Sequence, residues 1–175
     1  MKWTELLRTE IEYNYQVTEK LLDLVEDSVL DWKPTSGKNW MTTGQLVLHT
    51  ITACGSTLKG FVTGDWGLPP GVDSSEMSPE DMMPPAEKMA TIESISDAKK
   101  LLAEDKALAL EMLELAGEDR LENEDSPAPW DPRPIPLGLR LLGMVGHLTQ
   151  HKGQLFYYLK LQGHDVNTGH LWGSM

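Results

Sequence analysis

Two histidines four residues apart, His147 and His151, stand in the segment GHLTQHKGQLFYY, residues 146–158. Imidazoles one helical turn apart can converge on a single point, and this is how a helix presents two ligands to a zinc-like cation. On a wheel of about 100° per residue, His151 lies about 40° from His147, Leu155 about 80° and Leu148 about 100°. Both rings therefore border the apolar stripe, where one helix meets another. A third imidazole, His49 in GQLVLHTITACG, borders its own stripe on the same rotational side, with Ala53 about 40° away and Leu46 about 60°. A single histidine at such an edge is ordinarily a hydrogen-bonded boundary residue. Three together would need several buried partners, and their neighbours offer few.

Other chemistries are excluded by the letters. A zinc-protease helix would carry glutamate where Leu148 stands, and a di-iron bundle needs glutamate three residues before each histidine, where Leu46, Met144 and Leu148 are found. No Walker loop, dinucleotide fingerprint or G-x-S-x-G occurs. Cys54 falls about 140° from His49, which makes it core rather than a fourth ligand. Three neutral imidazoles leave positions on a divalent ion open, as in catalytic rather than structural sites. Such an ion lowers the pKa of bound water or thiol, and zinc, nickel, iron and cobalt all accept imidazole. Supporting roles fall to Tyr158, about 20° from His147 on the wheel and a candidate donor to a metal-bound oxygen. Gln45 and Gln154 are placed to orient a ring, and Asn14 to face the pocket. His164 and His170 belong to the tail and read as ordinary polar residues. Trp40, Trp66, Trp130 and Trp172 flank loops and read as seals on the core.

The elements that must carry these side chains read as four helices. The first spans about Thr4 to Glu26, and Pro34 and Gly37 separate it from the second, about Thr43 to Val62. From Gly64 to about Ile92 the chain is irregular and rich in Pro, Met, Asp and Glu. The third helix starts with Ser96 as N-cap and stops at Gly117. The proline-rich EDSPAPWDPRPIP cannot be helical. The fourth helix runs from about Leu137 to Gln162, capped by Gly163. No strand pattern and no internal repeat is visible. The expectation is one all-α domain over residues 1–175, a four-helix bundle whose long second connection can cross the bundle.

The 175 residues are 40% apolar and 24% charged, with a net charge of −12. That composition is globular. The acidic balance argues against nucleic acid and anionic membranes as partners, because both repel such a surface. No apolar run reaches the length of a membrane span. A single cysteine and no export signal at the start fit the cytoplasm.

Three stretches together, YNYQVTEKLLDLV, DWKPTSGKNWMTTGQLVLHT and GMVGHLTQHKGQLFYYLKLQGHDVNT, resemble the DinB-like (DinB/YfiT-like) superfamily of metal-binding four-helix proteins. The family pattern places one histidine late in the second-helix entry and two in H-x-x-x-H-[RK]-G-Q, which His49, His147 and His151 match one by one. The resemblance implies a bundle with a long crossover between helices two and three, a divalent metal on those histidines and often a homodimer. It implies activity less firmly, since only some relatives are thiol-dependent transferases or isomerases. The expected function is a metal-dependent small-molecule enzyme, a thiol transferase or a hydrolase, using zinc or nickel and a low-molecular-weight thiol or water. For a thiol anion, Arg133 and Arg140 are the candidate positive groups. The rival is a metal-stabilised stress-response or binding module without turnover.

Overall fold

The structure is a computed structural model that describes residues 1–68, 77 and 84–174. Much of the expected irregular connection, residues 69–76 and 78–83, lies outside the described residues. Six α-helices are described: α1 (Trp3–Leu22), α2 (Thr43–Ile51), α3 (Gly55–Thr63), α4 (Ile95–Asn123), α5 (Leu137–Leu161) and α6 (Thr168–Leu171). Among the described residues no strand forms; two isolated bridges, Asp125 with Pro136 and Ala128 with Asp131, order the proline-rich loop. Among the described residues no helix is long and apolar enough to cross a membrane.

The bundle has four rods: α1, the consecutive α2 and α3, α4, and α5. Their directions follow from contacts. Tyr15 reaches Asp105 and Thr4 reaches Glu118, so α1 and α4 are antiparallel. Thr43 meets Gln162 and Ala53 meets His147, so α2 and α5 are antiparallel. Gly55 meets Asp105 while Val62 meets Arg120, so α3 and α4 run the same way. Two successive rods that point alike can be joined only by a connection that returns along the bundle. The crossover between the second and third rods is thus built into the helix directions. Leu7, Ile11 and Leu21 of α1, Leu46 and Leu58 of the second rod, Leu113 of α4 and Leu148 and Leu155 of α5 are fully buried between the rods. Burial of this kind, at about 25 cal/mol per Å² of apolar surface, is what holds amphipathic helices together in water.

Several boundaries differ from the sequence expectation, each for a local reason. The second helix is not continuous. It breaks at Thr52–Cys54, and the amides of Gly55 and Ser56 at the start of α3 are capped from another helix by Asp105, at 2.8 and 3.0 Å. The N-cap of α4 is Ser94 rather than Ser96, because the Ser94 hydroxyl accepts from the Asp97 amide and Asp27 accepts from the Ile95 amide. Gly117 does interrupt α4, with φ +65, but the helix resumes to Asn123. That turn brings Glu118 onto the otherwise unpaired amides of Trp3 and Thr4 at the start of α1. The first helix ends at Leu22, and a 3₁₀ turn at Asp27–Val29 follows. The tail is pinned back on α1, where Tyr13 donates to the Trp172 carbonyl and Lys20 to that of Gly173.

Gly138 begins α5 where three helices meet. A Cβ there would lie 2.7 Å from the Trp3 indole and 2.8 Å from the Leu121 carbonyl. Gly138→Val is therefore expected to destabilise the fold by about 2 kcal/mol through overpacking. In a chain of this size, differential scanning calorimetry should show the midpoint falling by roughly 4–8 °C.

Candidate metal centre

α5 brings His147 and His151 together one turn apart, with their Nε2 atoms 2.8 Å from each other. His49 enters from α2, its ring centroid 5.2 Å from that of His147 and 4.3 Å from that of His151. One nitrogen from each ring lies within 4.8 Å of the other two. Three imidazoles from two antiparallel helices thus face one point between them.

The outer bonds fix which nitrogens are free. Ala53 sits in the break between α2 and α3, and its carbonyl accepts from His147 Nδ1 at 3.3 Å. Gln154 Oε1 accepts from His151 Nδ1 at 2.7 Å. A carbonyl oxygen can only accept, so both rings carry their proton on Nδ1 and a lone pair on Nε2. The two lone pairs point at each other. Nothing in the pair supplies a proton for the gap, and this is the arrangement in which ligating histidines are held by carbonyl partners behind them. All three rings are half-buried. Burial pushes the His49 pKa down to about 4, helped by the neighbouring imidazoles, and it lowers those of His147 and His151 as well. The site is neutral at pH 7 and its nitrogens are available to a cation. Among the described residues no carboxylate or thiol joins this group.

The other expected site residues are distributed differently. Gln154 orients His151, as its position one turn away implies. Gln45 does not reach a ring; it caps α2 with Thr42 and donates to the carbonyls of Ala86 and Met89. Tyr158 is buried, donates to the Met41 carbonyl at 2.9 Å and packs edge-on against Trp32 and Trp40. It lies seven residues beyond His151, roughly 10 Å along the helix axis. Arg140 and Arg133 both pair with Asp131, holding the proline-rich loop, and Arg140 also binds the carbonyls of Ser126 and Arg133. Cys54 is core, its thiol pushed up to about 12 by burial and by Asp105. His170 closes the cap of α6 by accepting from the Asn167 amide. Phe61, Trp66 and Trp130 form one edge-to-face cluster over the end of α3.

Asn14 does not face the imidazoles. Its Oδ1 accepts from Thr149 at 2.9 Å and from Lys152 at 3.0 Å, tying α1 to the turn of α5 that carries His151. Lys152 was not singled out as a site residue, although the sequence signal was there in the Lys152-Gly153-Gln154 run after His151. Its ammonium is buried against this amide and over the Tyr13 ring, and burial lowers its pKa.

The sequence profile of the DinB superfamily matches residues 10–155. The chain belongs to this superfamily. The crystal structure of a DinB-like protein from Bacillus cereus ATCC 10987 is similar over 91% of this chain and 92% of that chain, with a TM-score of 0.64 at 21% identity. That likeness supports the fold. No curated protein matches. The DinB match encloses His49, His147 and His151 and ends at Leu155, short of Tyr158.

Proposed function

We propose that this DinB protein binds one divalent cation, zinc or nickel, through His49, His147 and His151, and uses it on a small electrophilic molecule with water or a low-molecular-weight thiol as the nucleophile. The observation that carries the reading is the pair of Nδ1-anchored rings whose Nε2 lone pairs oppose each other at 2.8 Å, with His49 closing the group. Bound there, a divalent ion supplies Lewis-acid character and lowers the pKa of a coordinated water or thiol. The chain's own contributions are orientation and field. Ala53 and Gln154 keep both α5 imidazoles in the ligating tautomer, and half-burial keeps all three uncharged. The absence of an anionic ligand from the described group leaves the cation's charge uncompensated, which favours an anionic nucleophile. The acidic surface speaks against nucleic acid as substrate, and the single buried thiol fits a cytoplasmic setting.

A second reading is a metal-stabilised module without turnover. It is favoured by one set of contacts: Tyr158, Arg133 and Arg140, the candidate helpers, are all engaged elsewhere. Chromogenic electrophiles offered with thiols or water separate the two, since only an enzyme would lose turnover on His151→Ala.

Elemental analysis of protein purified without an affinity tag is expected to find one divalent ion per chain. Titrating zinc or nickel into chelator-stripped protein to about one hundred times Kd should add about 2.7 kcal/mol of stability. For a chain of this size the melting midpoint would rise by roughly 5–10 °C. Indifference of the midpoint to zinc, nickel, cobalt and iron(II) alike would remove the metal site.

A further inference from the structure

The seam between the second rod and α5 is bare on one side of the histidines and filled on the other. Ala53 meets His147, and farther along Phe61 lies under the Arg140 guanidinium, 5.7 Å from its ring centroid. These two contacts set α3 antiparallel to α5, with the half-buried Thr57 and Met144 between them. From His147 to Arg140 the seam runs about 10 Å along the axis. On this stretch α5 offers Gly143, one turn from His147, which is exposed and has nothing within 4 Å of where a Cβ would stand. In the opposite direction the turn after His151 carries Gln154, whose side chain is bonded to that ring.

The bare side ends on an aromatic wall. The Trp66 ring lies 4.9 Å from that of Phe61 and 5.3 Å from that of Trp130, all edge-to-face. A Cβ at Gly60 would collide with the Trp66 ring. Glycine weakens a helix interior, and here the space it leaves seats the indole. Trp130 is mounted rigidly as well. Ala128 and Asp131 exchange both backbone hydrogen bonds, at 2.9 and 3.0 Å, so Pro129 and Trp130 form the tip of a tight turn. Arg140 fastens that turn from behind, through the carbonyls of Ser126, Asp131 and Arg133 and the Asp131 carboxylate.

A seal on the core explains only part of this. Phe61 is 5% exposed and covered, yet Trp130 keeps 42% of its surface in solvent. Aromatic rings pair by offset stacking or edge-to-face, so two fixed indoles select a planar aromatic surface over an equally apolar puckered one. Small-molecule sites commonly join such walls to a few convergent polar groups, which the imidazoles supply. Trp40 is equally exposed at 42%, but its indole N–H donates to the Ser36 carbonyl of its own loop and it packs on Tyr158, beyond Gln154.

We infer that Trp66 and Trp130 hold the planar aromatic part of a small molecule whose reacting end meets the histidine centre along the α3–α5 seam. The substrate class is thus an electrophile with an uncharged aromatic arm. The second half of this inference rests on the proposed function; the wall itself does not depend on a metal.

The wall is tested on the full metal-free chain by adding unlabelled indole to ¹⁵N-labelled protein and following the six tryptophan Nε1–H signals. Saturable shifts are expected at Trp66 and Trp130, with smaller ones at Trp40, and cyclohexanol should move none of them comparably. Equal shifts at Trp40 and Trp130, or equal effects of indole and cyclohexanol, would overturn the wall. The link to the histidines is tested on zinc-loaded protein with acetohydroxamate and 2-naphthohydroxamate. The naphthyl arm is expected to tighten binding by about tenfold, and that gain should vanish in Trp130→Ala and in Gly143→Leu, for which the chain has room. Circular dichroism should show both variants folded. A gain that persists in Trp130→Ala would overturn the inference even with the metal in place. Failure of both hydroxamates to bind would instead be a failure of the metal reading, and the wall would still stand or fall by the indole titration.

Discussion

Replacing His151 with alanine is expected to weaken divalent-metal binding by more than 100-fold while leaving the metal-free protein as stable as before, or slightly more so. Loss of a carbonyl or carboxylate partner behind a ligating histidine typically costs 10–100-fold in affinity, and loss of the ligand itself costs more. The metal-free prediction comes from the geometry. With Nδ1 of both rings bonded outward, the Nε2 atoms of His147 and His151 face each other at 2.8 Å as two acceptors. Removing one ring relieves that opposition and deletes no core contact. A core histidine would behave in the reverse way, with stability falling and no metal response to lose. Competition titration against a chromophoric chelator reads the affinity, and melting with and without chelator reads the stability. Gln154→Leu should fall between, weakening the metal by 10–100-fold through loss of the His151 Nδ1 partner. An unchanged affinity in His151→Ala would leave the three imidazoles without a common function.

The histidine group was legible because its determinants are local. Spacing of four on α5 and the apolar stripes of two helices place all three rings at one seam. Tyr158 shows where such reasoning stops. Its wheel angle puts it on the metal side, but a wheel collapses distance along the axis, and seven residues carry it to Met41 at the other end of α2. The break in the second rod was not legible for a different reason. Nothing in GQLVLHTITACGSTLKG forbids a continuous helix except glycine, and the group that stabilises the break is fifty residues away on α4. The same holds at the start of α4. Ser94 and Ser96 are equally good caps by type, and the choice is made by Asp27, which reaches the Ile95 amide across the bundle. The family pattern carried the crossover, which the helix directions then required. Periodicity alone left the order of the rods open.

Asp105→Ala is expected to be the most destabilising single change, at about 3–5 kcal/mol in urea denaturation with the m-value unchanged. The carboxylate is 7% exposed and serves three donors: the Tyr15 hydroxyl, the Gly55 amide at 2.8 Å and the Ser56 amide at 3.0 Å. Burial raises its pKa, while these bonds act in the opposite direction by favouring the anion. Alanine leaves a buried hydroxyl and two helix-terminal amides unpaired, at about 1–3 kcal/mol for each orphaned group. Asp105→Asn should recover little, since its NH₂ would confront one of the amides, donor against donor. Tyr15→Phe removes a single donor and keeps the cap, so it should cost about 1–3 kcal/mol. The consequence reaches the imidazoles. The amides that Asp105 caps lie two and three residues after Ala53, whose carbonyl holds His147 in its tautomer. A chain that straightens or frays at Thr52–Cys54 withdraws that carbonyl. Asp105→Ala, although its side chain does not belong to the histidine group, should therefore lose metal affinity along with stability. Tyr15→Phe should lose stability alone, and a Tyr15→Phe variant that lost metal as severely would break the link between the helix break and the site.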